Sequence, residues 1–89
     1  MIRKRFIFYG RVQGVGFRYT AKHAADMFRC TGWVKNEYDG TVSMEIQGEE
    51  NAINQVIHTI SEGRFIQITG IDAREIPIDT DERSFGTRF

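Results

Sequence analysis

Apolar residues along this chain change their spacing repeatedly, and each change marks an element. Ile2–Tyr9 is dense in Ile, Phe and Tyr and predicts a strand. Phe17, Ala21, Ala24 or Ala25, and Phe28 recur at helical spacing and predict a helix over Phe17–Arg29, with Gly32 as its stop. Trp33–Asn36 reads as a second strand, and Glu37-Tyr38-Asp39-Gly40 carries the chemistry of a hairpin turn. Thr41–Gln47 alternates strictly: Val42, Met44 and Ile46 share one face, while Thr41, Ser43, Glu45 and Gln47 share the other. That is the pattern of a half-buried strand with a polar outer side. After Gly48, Glu49 and Glu50 suit the first turn of a second helix, whose stripe is Ile53, Val56, Ile57 and Ile60 and whose end is Gly63. A fourth strand lies within Phe65–Ile76, bent at Gly70. Pro77–Asp81 is a polar connection, and Ser84–Phe89 forms a brief last strand.

The order is therefore βαββαβ with an extra terminal strand. It predicts a ferredoxin-like α+β sandwich, an antiparallel sheet with two helices on one face. The first two strands run parallel to each other through a right-handed crossover, and the third fits antiparallel between them. Composition, 40% hydrophobic and 27% charged over 89 residues, fits one soluble domain, residues 1–89. No apolar run reaches membrane-spanning length, and the run after Arg3-Lys4-Arg5 stops at Tyr9-Gly10-Arg11, too soon for a signal peptide. Cys30 is alone, which excludes an internal disulfide or a cysteine zinc site. His23 and His58 fall on different helices without metal-ligand spacing. These features set the expectations: a cytoplasmic monomer with no metal, no cofactor and no membrane partner.

Formal net charge is zero, which argues against broad nucleic-acid binding. The distribution is uneven. Residues 1–25 hold Arg3, Lys4, Arg5, Arg11, Arg18 and Lys22 without an acid, whereas 72–82 hold Asp72, Glu75, Asp79, Asp81 and Glu82 against Arg74. Two readings stand: solvated faces of opposite sign, or a basic end that draws in an anionic substrate.

The chemistry concentrates at Gly10-Arg11-Val12-Gln13-Gly14-Val15-Gly16-Phe17-Arg18. A strand feeding a glycine-rich loop and then a helix N-terminus aims backbone N–H groups at one spot, where the helix dipole adds positive potential. Arg18 contributes a planar fork matched to two phosphate oxygens. Taken alone, the glycines suit a plain tight turn and Arg18 a surface position. The topology adds a second component. Parallel strands end on one side of a sheet, where ligands gather. Asn36, at the end of the second strand, shares a face with Val34. With Val34 under the helices, Asn36 looks toward the start of the first helix.

Gly10–Arg18 resembles the first motif of the acylphosphatase family, and Gly32–Val42, continuing to Gly48, resembles the second. The resemblance implies metal-independent hydrolysis of acyl phosphates (carboxyl-phosphate anhydrides) to a carboxylate and inorganic phosphate. It implies Arg18 as the catalytic arginine and Asn36 as the residue that orients water. The phosphate cradle would be the backbone of Arg11, Val12, Gln13, Gly14, Val15, Gly16 and Phe17. The partner would be a small acyl phosphate, with no nucleic acid involved. Glu37 stands where many members have threonine, an acid that would weaken the pull on an anionic substrate. Nothing placed in the sequence reads the acyl part, so broad acceptance of small acyl phosphates, with modest discrimination among acyl groups, is expected. Two rivals are weaker. A single-stranded RNA module needs exposed aromatics on the sheet, and Thr41, Ser43, Glu45 and Gln47 supply none. A noncatalytic anion-binding domain is the other. Related domains begin larger hydrogenase-maturation carbamoyltransferases, but this chain ends at Phe89 without cysteine-pair zinc motifs, which favours a free-standing enzyme.

Overall fold

A computed structural model describes residues 1–89. The elements run β1 (Ile2–Arg11), α1 (Phe17–Met27), β2 (Thr31–Asn36), β3 (Val42–Gly48), α2 (Glu50–Ser61), β4 (Gln67–Ile76) and β5 (Phe85–Arg88). They form one sheet in the order β4-β1-β3-β2-β5. β3 sits between β1 and β2 and is antiparallel to both, as its alternation and the crossover rule require. The α+β ferredoxin-like layout is as expected from the element order. The sheet is mixed rather than wholly antiparallel, because β5 adds parallel to β2 with Gly32 opposite Phe85 and Lys35 opposite Arg88. No helix is long and apolar enough to cross a membrane.

One face of the sheet carries the core. Phe6 and Phe8 of β1, Val34 of β2 and Val42, Met44 and Ile46 of β3 are buried there. Phe17, Ala21, Ala24 and Ala25 of α1, with Ile53, Val56 and Ile60 of α2, pack onto them. The alanines keep α1 slim enough to pack against α2 as well as the sheet.

α1 ends earlier than its apolar spacing predicts. Arg29 takes the left-handed conformation (φ 59°), its N–H bonds to the Asp26 carbonyl, and the Cys30 N–H bonds to Ala25. This is a Schellman ending with arginine at the position glycine usually fills. Cys30 follows it into the core, where burial pushes the thiol pKa up to about 11 and keeps it protonated. Gly32, the expected stop, lies inside β2 (φ 144°), where a Cβ would fall 1.9 Å from the Glu45 carbonyl oxygen.

The second face of β3 corrects the half-buried reading. Thr41, Ser43 and Gln47 are buried along with the apolar residues. Part of the cover comes from the segment after β4. The Gln47 side-chain amide donates to the Asp79 carbonyl (3.0 Å) and accepts from the Asp79 N–H (2.8 Å), fastening that segment over the sheet. Beside it Arg3, only 4% exposed, donates to Glu82 (2.7 and 3.2 Å), Glu45 (3.0 and 3.2 Å) and Gln47 (3.3 Å). Arg5 bonds the other Glu45 oxygen (3.0 Å). A bidentate guanidinium between two carboxylates satisfies the charges that burial would otherwise penalise. The chain then reaches β2 through the Gly32 N–H to Ser84 carbonyl bond (3.1 Å), which starts the parallel β5.

Removing one partner from a buried ion-pair network strands the others. Arg3→Ala is expected to lower unfolding free energy by about 3 kcal/mol, read as a fall in the urea midpoint at unchanged m-value. A loss well under 1 kcal/mol would mean that these carboxylates remain solvated without it.

Candidate active site

The loop between β1 and α1 is fixed at its apolar residues and free along its backbone. Val12 and Phe17 are buried (1% and 2% exposed), and the Phe17 ring tilts against Phe8 with centroids 4.8 Å apart. Val15 packs against the core from the loop's middle. Between these anchors Gly14 (φ 71°) and Gly16 (φ 81°) take left-handed backbone, which lets the chain turn sharply into the helix. Gly16 is the helix cap and, lacking a side chain, makes no capping bond; no acid lies in the first turn of α1. The amide groups at the start of α1 therefore keep their positive potential. α2 is built the opposite way, with Glu49 at its cap position and Glu50 in its first turn.

Asn36 comes to this helix end from β2. Its register partner is Val42, and Val34 two residues earlier is fully buried, so Asn36 lies on the helix-covered face. Its Oδ1 is buried and accepts no hydrogen bond from the protein. A buried amide oxygen without a protein partner costs about 1–3 kcal/mol. Val12, Gly14, Gly16, Phe17, Arg18, Tyr19 and Asn36 line one cleft of about 200 Å³.

Arg18 is held from behind by the strand that the sequence pattern weights least. Its Nη1 donates to the Arg88 carbonyl (3.3 Å), and the Phe89 ring centroid lies 5.5 Å from its guanidinium carbon. No carboxylate pairs with Arg18, in contrast to Arg3 and Arg5. The basic N-terminal segment is thus divided. Arg3 and Arg5 are consumed by the network on the far face, Lys22 pairs with Asp26 (2.8 Å), and Arg11 and Arg18 carry no ion pair.

Arg11, Gln13 and Val15 do not line the cleft. Arg11 ends β1 opposite Gln67 of β4. Gln13 braces the loop: its Nε2 donates to the carbonyls of both Glu37 (2.7 Å) and Thr41 (2.9 Å). Those carbonyls flank the turn that follows Asn36, and the Glu37 N–H to Thr41 carbonyl bond (2.9 Å) closes that turn. Within it Asp39 accepts from the Thr41 hydroxyl (2.6 Å) and N–H (3.0 Å), which hold its carboxyl below the usual range. Glu37 accepts a short bond from the Ser43 hydroxyl, on the face opposite Val42. Its carboxylate is therefore engaged away from Asn36, which softens the repulsion that its position in the sequence suggests.

His58 pairs with Glu62 (2.6 Å) away from the cleft, and His23 does not line the cleft itself but stacks on Tyr19, which does. Trp33 lies between Arg88 and Arg5 (4.5 and 5.6 Å to its ring). No three His, Cys, Asp or Glu side chains gather as metal ligands would. Sequence reasoning passes over Tyr19, Arg88 and Phe89. The first reads as one more exposed helix residue, and the others reach Arg18 only through the β2–β5 pairing.

Comparison with known proteins supplies an independent line. The acylphosphatase family model matches residues 4–87. An acylphosphatase of Clostridium perfringens is 42% identical over 88 residues, covering 98% of this chain and 99% of the relative. One from Geobacillus kaustophilus is 44% identical over 86 residues, covering 96% and 92%. The crystal structure of acylphosphatase from Bacillus subtilis superposes with a TM-score of 0.92 at 37% identity, covering all of both chains.

The Gln13 brace has a direct test. Gln13→Met keeps the length and removes both donors. The expected loss is about 1 kcal/mol of stability, with faster amide hydrogen exchange across Val12–Gly16. Unchanged exchange there would mean that the apolar anchors Val12 and Phe17 hold the loop unaided.

Proposed function

This chain belongs to the acylphosphatase family, and from that premise we propose how its own residues hydrolyse an acyl phosphate to a carboxylate and inorganic phosphate. The observation that carries the reading is the buried, unpaired Asn36 Oδ1 in one cleft with Arg18 and the uncapped start of α1.

The phosphoryl group brings the charge that an uncapped helix end and an unpaired arginine attract. Backbone N–H groups of the segment Arg11–Phe17 hold its nonbridging oxygens, with Arg18 clamping two of them. Phosphoryl transfer needs alignment and charge stabilisation more than covalent chemistry, and these donors are fixed before the substrate arrives. The Arg88 carbonyl and the Phe89 ring limit the swing of the Arg18 head.

Asn36 Oδ1 accepts one proton of a water molecule and so turns the water's lone pair toward phosphorus. An aspartate there would repel the substrate, whereas the amide carries no charge. The water oxygen forms a bond to phosphorus as the phosphorus–oxygen bond to the acyl group breaks. The carboxylate leaves with that electron pair, and the water's proton passes to a phosphoryl oxygen. A carboxylate needs no protonation to depart, so the step asks for no general acid. No side-chain base lines the cleft, which supports the phosphoryl oxygen as proton acceptor. On this reading no metal takes part, and the site is complete within one copy of the chain.

Hydrolysis of benzoyl phosphate in EDTA separates the roles. Wild-type protein is expected to turn over without added metal. Asn36→Ala should lose about 100-fold in kcat with the phosphate inhibition constant nearly unchanged, and Arg18→Ala should lose about 1000-fold in kcat/KM together with phosphate affinity. A folded wild type that binds phosphate without turnover would assign the cleft to recognition alone.

A further inference from the structure

In-line displacement sends the leaving group away from the attacking water. On the hydrolytic reading above, which this inference rests on, the water sits at Asn36, whose side chain lies on the helix-covered face of β2 with its Oδ1 buried. The acyl group therefore departs toward the open mouth of the cleft. The exposed aromatic lining that cleft is Tyr19, next to Arg18 in α1 and 74% exposed. Its ring stacks near-parallel on His23, one helical turn later, with centroids 5.9 Å apart and planes 16° from parallel. Of the other exposed aromatics near the site, Phe89 lies against Arg18, and Tyr38 lines a neighbouring cavity with Asn36 and Phe89 rather than this cleft. Tyr19 thus places an open ring surface beside the phosphoryl cradle. An aromatic side chain left in water and braced by a second ring is suited to stacking on a flat apolar group.

We propose that the Tyr19–His23 stack at the cleft mouth is the acyl subsite and that it selects flat, aromatic acyl groups over small aliphatic ones. The contact reads the part of the substrate that the phosphate cradle ignores. It gives a structural source for the modest discrimination among acyl groups that the motifs lead one to expect. Because the stack lies on the helix surface, its contribution is a graded preference rather than an absolute requirement.

The test is the ratio of kcat/KM for benzoyl phosphate to that for acetyl phosphate, measured in wild type, Tyr19→Ala, Tyr19→Phe and His23→Ala. A stacking contact of ordinary strength predicts that the ratio falls about fivefold in Tyr19→Ala, is kept in Tyr19→Phe, and falls about twofold in His23→Ala, where the ring is no longer braced. The inhibition constant for inorganic phosphate, which has no acyl group, should stay within about twofold of wild type. A ratio unmoved in Tyr19→Ala, with both substrates still hydrolysed, overturns the subsite and leaves the hydrolytic reading intact. Failure of the wild type to hydrolyse either substrate overturns both. Thermal unfolding of each variant separates a loss of contact from a loss of fold, and Tyr19→Phe losing the ratio would also count against stacking.

Discussion

The first turn of α1 is left without a side-chain partner, and much of the molecule serves to hold it that way. Gly16 caps the helix with backbone alone, and no acid lies in its first turn. Such an end is electrostatically costly to bring near other positive groups and favourable only toward an anion. Val12 and Phe17 plug the loop into the core, Gln13 ties it to the turn beyond Asn36, and the last residues of the chain hold Arg18. The start of α1 is thus positioned by packing and by distant strands.

The opposite face of the sheet follows the reverse rule. There Arg3, Arg5, Glu45, Glu82 and Gln47 satisfy one another, and the segment around Asp79 covers them. Polar groups of similar kinds are thus treated differently. On the far face they pair with one another, whereas at the cleft Arg18 carries no ion pair and Asn36 Oδ1 accepts no hydrogen bond from the protein. A small domain has a modest core, so tying down the far face compensates for leaving part of the near one unsatisfied.

Most elements are legible in the sequence because their signals are local. The alternation in β3 correctly sends Val42, Met44 and Ile46 to the core, and the helical stripes choose the buried residues of both helices. The failures depend on contacts that alternation alone does not carry. Gln47 reads as solvent-facing, since the Arg3 network and the Asp79 segment that cover it come from the two ends of the chain. Thr41 and Ser43 read so because alternation does not show that Asp39 and Glu37 of the preceding turn bond back to them. Gly32 reads as a helix stop because glycine is the usual choice, yet Arg29 takes the left-handed position and Gly32 permits close strand contact. The parallel pairing of β5 has no local signature at all. At the site, motif and topology point to Arg18 and Asn36, which line one cleft. The Gln13 brace, the support behind Arg18 and the place of Tyr19 depend on where separate elements meet.

The most direct measurement is a titration of the wild-type protein with inorganic phosphate while its backbone amide resonances are followed by NMR. A saturable shift concentrated at Gly14, Val15, Gly16 and Phe17, with the Arg18 side chain moving at the same midpoint, is the predicted result. Shifts confined to the first turn of α2, or scattered over the surface arginines without saturation, would contradict the cradle at the start of α1.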